Sequence, residues 1–130
     1  MTPAEFRVVR EFLGLTGEWV GAHLAVADGT VRDWENGARP VPDSVRTQLM
    51  DLERLTGEFV RKAVDALLGS AEPGIVTFRD DTEYHAAHPE SGYPASWHRA
   101  VCARVALEVP GLTIAYADAV ESVDVKVEAE

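Results

Sequence analysis

The sequence predicts a mainly α-helical protein that ends in a small α+β module. Apolar residues recur at helical spacing through most of residues 1–72, with several capping residues between the runs. Three of those runs are short and crowd into residues 2–37. Beyond Pro73-Gly74 the pattern changes: two short runs rich in β-branched and aromatic residues, IVTFR and LTIAY, flank one further amphipathic helix. A chain of 130 residues with 46% apolar and 26% charged positions can bury one respectable core or two small ones.

The first helix starts at Thr2 as N-cap, with Pro3 in the first turn and Glu5 in the capping-box position. Phe6, Val9 and Leu13 form its inward face, and Gly14 stops it. Thr16 caps a short second helix in which Leu15 is spaced to staple against Val20, and Val20 and Leu24 supply the buried stripe. After a turn at Val26-Ala27, a third helix turns Val31 and Trp34 inward and closes at Asn36-Gly37. This is a helix-turn-helix arrangement. ARPVP (38–42) is a proline-stiffened linker, and Asp43 caps a long run carrying Val45, Leu49, Leu52, Leu55, Phe59, Ala63 and Leu67, in which Gly57 is the point where a bend or split would fall. SAEPG (70–74) reads as the clearest domain boundary. IVTFR is a strand, Asp81 caps a brief helix through Tyr84 and His85, and HPESGYP is a loop. Trp97, Val101, Val105 and Val109 mark an amphipathic helix stopped by Pro110-Gly111, and LTIAY is a second strand. The acidic end, ADAVESVDVKVEAE, reads as a solvated tail.

Charge and cysteine content narrow the function classes. With 12 basic and 22 acidic residues the net charge is −10, which opposes sequence-blind adhesion to phosphate. The acidity is uneven: residues 1–56 carry 6 basic and 9 acidic groups, residues 73–130 carry 4 and 10. A local contact patch in the N-terminal half is therefore compatible with the overall balance. A lone cysteine, Cys102, excludes an intramolecular disulfide; the charged start (Glu5, Arg7, Arg10, Glu11) lacks a signal-peptide core, and no apolar run is of membrane-spanning length, so a cytoplasmic protein is expected.

LGLTGEWVGAHLAVADGTVRDWENG (13–37), with its LGLT start, its TVxxWENG end and the following ARPVP, resembles the repressor-type helix-turn-helix proteins of phages and their bacterial relatives. The second half, TFRDDTEYHAAHP followed by SWHRAVCARVALEV and a short strand, resembles the YdiL-like family, which includes anti-CRISPR-associated repressors. The two together cover roughly residues 1–118. The resemblance implies a five-helix-type repressor domain over 1–56, a connecting helix and linker over 57–72, a small α+β dimerisation module over 73–118, and an acidic tail over 119–130. It implies a homodimer that represses transcription by binding an inverted repeat in double-stranded DNA. It also implies a structural ion pair between Arg10 and Glu35, which match the family's paired arginine and glutamate.

The candidate DNA-contacting residues are Thr16, Gly17, Asp28, Gly29, Thr30, Arg32, Asp33, Asn36 and Arg39. Arg32 can read guanine bidentately, and Asp28 or Asp33 can accept from cytosine N4. Each acid has a plainer reading: Asp28 as cap of the third helix, Asp33 as a solvated residue or a neighbour of Arg32. Asn36 and Arg39, at the helix exit, suit phosphate contacts. Gly17 stands where the family often has a phosphate-touching glutamine, and it leaves only a backbone N–H. These acids also support an alternative in which the scaffold binds a basic protein partner. Trp97, Val101 and Val105, with the two strands, are the candidates for a second core and subunit interface.

His85, His88, His98 and Cys102 have spacings that two neighbouring helices could bring together around zinc, although surface histidines with a buried cysteine explain them as well. His23 reads as the packed edge of the second helix. Asp80, Asp81 and Glu83 match a helix start enriched in carboxylates. No phosphate-cradling glycine loop, GxSxG or HExxH occurs, so no enzyme and no cofactor are expected.

Overall fold

The computed structural model describes residues 1–119 and is mainly helical. The elements are α1 (Pro3–Phe12), α2 (Gly17–His23), α3 (Thr30–Asn36), α4 (Asp43–Leu67), β1 (Gly74–Thr77), α5 (Asp81–Ala87), α6 (Ala95–Ala106) and β2 (Thr113–Tyr116), with a 3-10 turn at Ala117–Ala119. The acidic tail expected from residue 119 lies, beyond Ala119, outside the described residues.

Local chemistry sets the helix ends. Thr2 Oγ1 accepts from Glu5 N at 3.0 Å while Thr2 N donates to Glu5 Oε1 at 2.8 Å, and Thr16 Oγ1 accepts from Trp19 N at 3.0 Å. Asp80, rather than Asp81, caps α5, its Oδ1 accepting from Glu83 N at 2.9 Å. Asp81 reaches forward instead and accepts from Ala95 N at 2.7 Å, capping the start of α6, where Pro94 has no side-chain acceptor to offer.

α4 runs unbroken for 25 residues through Gly57. One helical glycine costs only about 1 kcal/mol, and the Arg104 guanidinium of α6 lies across that position. The buried stripe of α4 differs from expectation at its middle. Leu55 is 46% exposed, and Thr56, Val60 and Val64 are buried in its place. At 100° per residue Thr56 continues the line of Leu49 and Leu52, whereas Leu55 falls well outside it. Thr56 is satisfied there: Oγ1 donates to Leu52 O at 2.7 Å and accepts from Trp97 Nε1 at 3.0 Å.

β1 and β2 pair in parallel, Gly74 opposite Thr113 through Thr77 opposite Tyr116. A parallel pair needs a crossover, and α5 and α6 supply it. The SAEPG segment is a short bend that runs into β1 at Gly74, and the two halves of the chain share a core. One apolar cluster runs from Phe6 and Trp34 through Leu49 and Val60 to Trp97 and Val105. Gly14 is the tightest joint between them. Its φ is +70°, and a Cβ would sit 2.3 Å from Ser96 O; Ser96 Oγ donates to Gly14 O at 2.5 Å.

Candidate nucleic-acid interface

α2 and α3 approach closely because Gly17 and Gly21 face Val31: a Cβ on either would lie 3.5 or 3.6 Å from its methyls. The turn between them contains Ala25 at φ +56°, an uncommon conformation for a residue with a side chain. Arg10 fixes the unit from α1. Its Nε donates to Glu35 Oε2 at 2.5 Å, its second terminal nitrogen to Glu35 Oε1 at 3.0 Å, and its first to Leu15 O at 2.9 Å. Both side chains are 14% exposed. The hydrogen bond to Glu35 holds the guanidinium pKa above its ordinary value, and the pair implied by the resemblance is present.

A cleft of about 840 Å³ opens between α1, α2 and α3, and Arg7, Glu18, Asp28, Arg32 and Asn36 are among the residues that line it. Its charges are mixed. The Arg32 side chain is exposed on α3 and makes no hydrogen bond or ion pair among the described residues. Asp28 does not cap α3. The N-cap is Gly29, at φ +84° with no side-chain bond, and the left-handed turn carries the Asp28 side chain into solvent. Asp33 pairs with Arg39, Oδ2 to Nε at 3.2 Å, and the Arg39 amide donates to Asp33 O at 3.2 Å. The two residues thus neutralise each other across the exit of α3. Asn36 Oδ1 accepts from Ala38 N at 2.9 Å and shapes the same turn. Thr16 is committed to its cap, Gly17 contributes backbone in the first turn of α2, and Thr30 opens α3 half-buried.

The family model for Aca2/YdiL-like proteins matches residues 1–110. The chain belongs to the Aca2/YdiL-like family. It is therefore a regulatory protein of helix-turn-helix type, as the sequence pattern suggests. Comparison with curated proteins gives no match. In this Aca2/YdiL-like chain no helix among the described residues is long and apolar enough to cross a membrane.

Trp97, Val101 and Val105 are 2%, 0% and 0% exposed. They are core of the single chain and offer almost no surface to a partner, because α4 and β1 already cover them. The exposed apolar side chains lie elsewhere, with Leu107 at 88%, Phe12 at 54% and Ile114 at 43%. The histidines also take up other roles. His85 Nε2 meets Tyr93 O at 2.7 Å, and His88 Nδ1 lies 3.5 Å from Glu90 Oε2. His98, far from being a surface residue, is 1% exposed, with Nδ1 2.8 Å from Thr77 Oγ1 and 3.7 Å from Cys102 Sγ. Among the described residues, no three metal-ligating side chains converge.

Sequence reasoning missed a line of aromatic rings between the two halves. His23 stacks on Trp19 at 4.8 Å, Trp19 on Tyr93 at 5.6 Å, and Tyr93 on Trp97 at 4.0 Å. Trp19 Nε1 also donates to Gly92 O at 2.9 Å. Burial of Tyr93 in this line raises its hydroxyl pKa. The signal in the sequence was Trp19 itself, a large aromatic between two glycines in GEWVG, off the inward stripe of its helix.

Proposed function

We propose that this chain is a sequence-specific DNA-binding transcriptional regulator, a dimeric repressor that acts in the cytoplasm and lays α3 into the major groove of an inverted repeat. The observation that carries the reading is Arg32. It is exposed on α3 and free of internal partners among the described residues, whereas Arg10 and Arg39 are tied to Glu35 and Asp33. A guanidinium so placed is available for the O6/N7 edge of guanine. Asp28, released from capping duty, stands nearby as an acceptor for cytosine N4. No catalytic role is assigned to any residue. The homodimer that two half-sites require would bury Leu107, Phe12 or Ile114 rather than the core residues of α6.

Fluorescence anisotropy against the DNA upstream of the chain's own gene, beside a scrambled duplex and across a salt series, tests this. Preference for the upstream duplex, weakening as salt rises, is the expected result. A second reading rests on Asp28 and Glu18, which put exposed carboxylates on the same cleft. Absence of binding to either duplex at low salt would reject the repressor and favour a module that docks a basic protein segment.

A further inference from the structure

α2 has only 7 residues, and isolated helices shorter than about 12–15 residues are marginal in water, so its direction is set by what touches it. On one side Gly17 and Gly21 seat it against Val31 of α3. Trp19 lies two residues from each glycine, about 200° round the helix, and therefore faces away from α3. On that far side its indole N–H donates to Gly92 O at 2.9 Å, and its ring stacks on Tyr93, which stacks in turn on Trp97 at the start of α6. Trp97 is itself anchored, its indole donating to Thr56 of α4. A second joint lies beside it: Ser96 Oγ donates to Gly14 O at the corner between α1 and α2.

We propose that Trp19 is a positioning residue for recognition: it fixes α2 to the start of α6 and thereby sets where the first turn of α3 presents Arg32. The two ends of α3 are held by different neighbours. Its later residues belong to α1, through the Trp34 ring against Phe6 and the Glu35 carboxylate on Arg10. Its first turn rests on α2 through Val31, and Arg32 is the next residue. A change in the seat of α2 therefore reaches Arg32 before it reaches Glu35.

Trp19 acts from behind the helix rather than by contact. Gly17, Glu18, Gly21 and Ala22 of α2 line the cleft in which Arg32 stands, whereas neither Trp19 nor Tyr93 does. The rings are stacked on one another and the indole N–H is spent on Gly92, so their effect on a bound duplex passes through the placement of α2. The C-terminal half of the chain thus takes part in recognition by supplying the surface against which α2 is set. The consequence for DNA rests on the repressor reading above; the joint between Trp19 and the loop does not.

The test uses two variants of the full chain. Trp19→Leu removes both the ring and the donor, and Trp19→Phe keeps a ring and removes the donor. Hydrogen exchange of the α2 and α3 amides should quicken about tenfold in the leucine variant and less in the phenylalanine variant, with the amides of α4 and α6 unchanged. Equal acceleration in α4 and α6 would make Trp19 an ordinary core residue and overturn the assignment, as would unchanged exchange in α2. Should Trp19→Leu fail to fold, Trp19→Phe carries the same comparisons. Where the native chain binds its upstream duplex, Trp19→Leu should weaken that Kd about tenfold, and the double variant with Arg32→Ala separates placement from stability. If Trp19 works through Arg32, the fold-loss caused by Arg32→Ala is severalfold smaller in the Trp19→Leu background than in the native one; losses that simply multiply overturn the assignment. A native chain that binds no duplex sinks the repressor reading, and the exchange pattern still decides whether Trp19 holds α2.

Discussion

The two ends of this molecule are held by different physics. Around α3 the fixed points are polar and near the surface: Arg10 on Glu35, Arg39 on Asp33, Asn36 on Ala38, Thr16 on Trp19. Around α6 they are mostly apolar and enclosed, with Phe59, Tyr93 and Trp97 in ring contact and the buried hydroxyls of Thr56 and Thr77 meeting the Trp97 indole and the His98 imidazole. The difference separates adjustable chemistry from rigid support. An exposed pair such as Arg39 with Asp33 can exchange its internal partner for phosphate or base edges at little cost, because water already competes for it, whereas the mostly buried Arg10–Glu35 pair holds the unit in place. A stacked core cannot be rearranged without exposing large apolar area. The end suited to recognition is thus the one that is cheap to rewire, and the other keeps it in place.

The largest effect should come from breaking the apolar end. Trp97→Ala removes the ring from its contacts with Phe59 and Tyr93 and takes the indole donor away from Thr56; a loss of about 3–5 kcal/mol is expected in urea unfolding. The shared core adds a condition. Far-UV circular dichroism and tryptophan emission should report a single coincident transition for the native chain. Two separated transitions would support a division into independent domains and weaken the contrast between the two ends.

At the polar end the strongest pair is Arg10 with Glu35. Arg10→Ala leaves a mostly buried carboxylate without its partner and should cost about 2–3 kcal/mol, while replacing both residues with apolar ones of similar size, Arg10→Met with Glu35→Leu, should recover much of that loss. Thermal melting of the two variants side by side measures the difference. A double variant no better than the single one would mean that the hydrogen bond from Arg10 to Leu15 O, rather than the stranded charge, dominates.

Legibility in the sequence follows the same division. Features decided within four residues could be read from the chain: the capping box at Thr2, the Thr16 cap, and the parallel-strand segments as short β-branched runs. Contacts decided by packing between distant segments could not. Leu55 and Thr56 exchanged roles because α6 arrives on the Thr56 side, and Asp80 took the cap while Asp81 was drawn 14 residues forward to Ala95. The buried state of Trp97, Val101 and Val105 was readable, but not which chain would bury them. At the candidate interface the residues on α3 were legible by spacing alone. Their pairing was not: the Arg39–Asp33 bond and the loss of the Asp28 cap depend on the left-handed turn at Gly29 and on the path of the chain after Gly37.

Arg32 should behave as the contrast requires of a side chain without structural duty. Arg32→Ala is expected to leave the melting temperature unchanged and to cost about 1–3 kcal/mol in operator binding, with discrimination relaxed at one base position. Arg39→Ala should weaken operator and scrambled DNA alike. Asp33→Asn, which frees the Arg39 guanidinium, should strengthen both. Equal losses on both duplexes for Arg32→Ala and Arg39→Ala would reject the division between a reader and a positioning contact.

The smallest expected effect is also the most direct probe of a polar surface bond. Glu5 has its pKa lowered from 4.5, chiefly by the hydrogen bond from the Thr2 backbone N–H, so the folded chain binds fewer protons than the unfolded one just below that pH. The capping box therefore contributes its full stability above pH 4.5, and the contribution fades as pH falls through the lower folded value. Tyr93 carries the opposite signature at the apolar end. Its pKa is raised from 10.0 by burial, so the cost appears as pH rises past 10.0, when the unfolded chain loses its proton first. Glu5→Gln should flatten the acid limb of a stability profile and leave the alkaline limb alone, and Tyr93→Phe should do the reverse. An acid limb that survives Glu5→Gln unchanged would assign it to other carboxylates and leave the capping box with no measurable share.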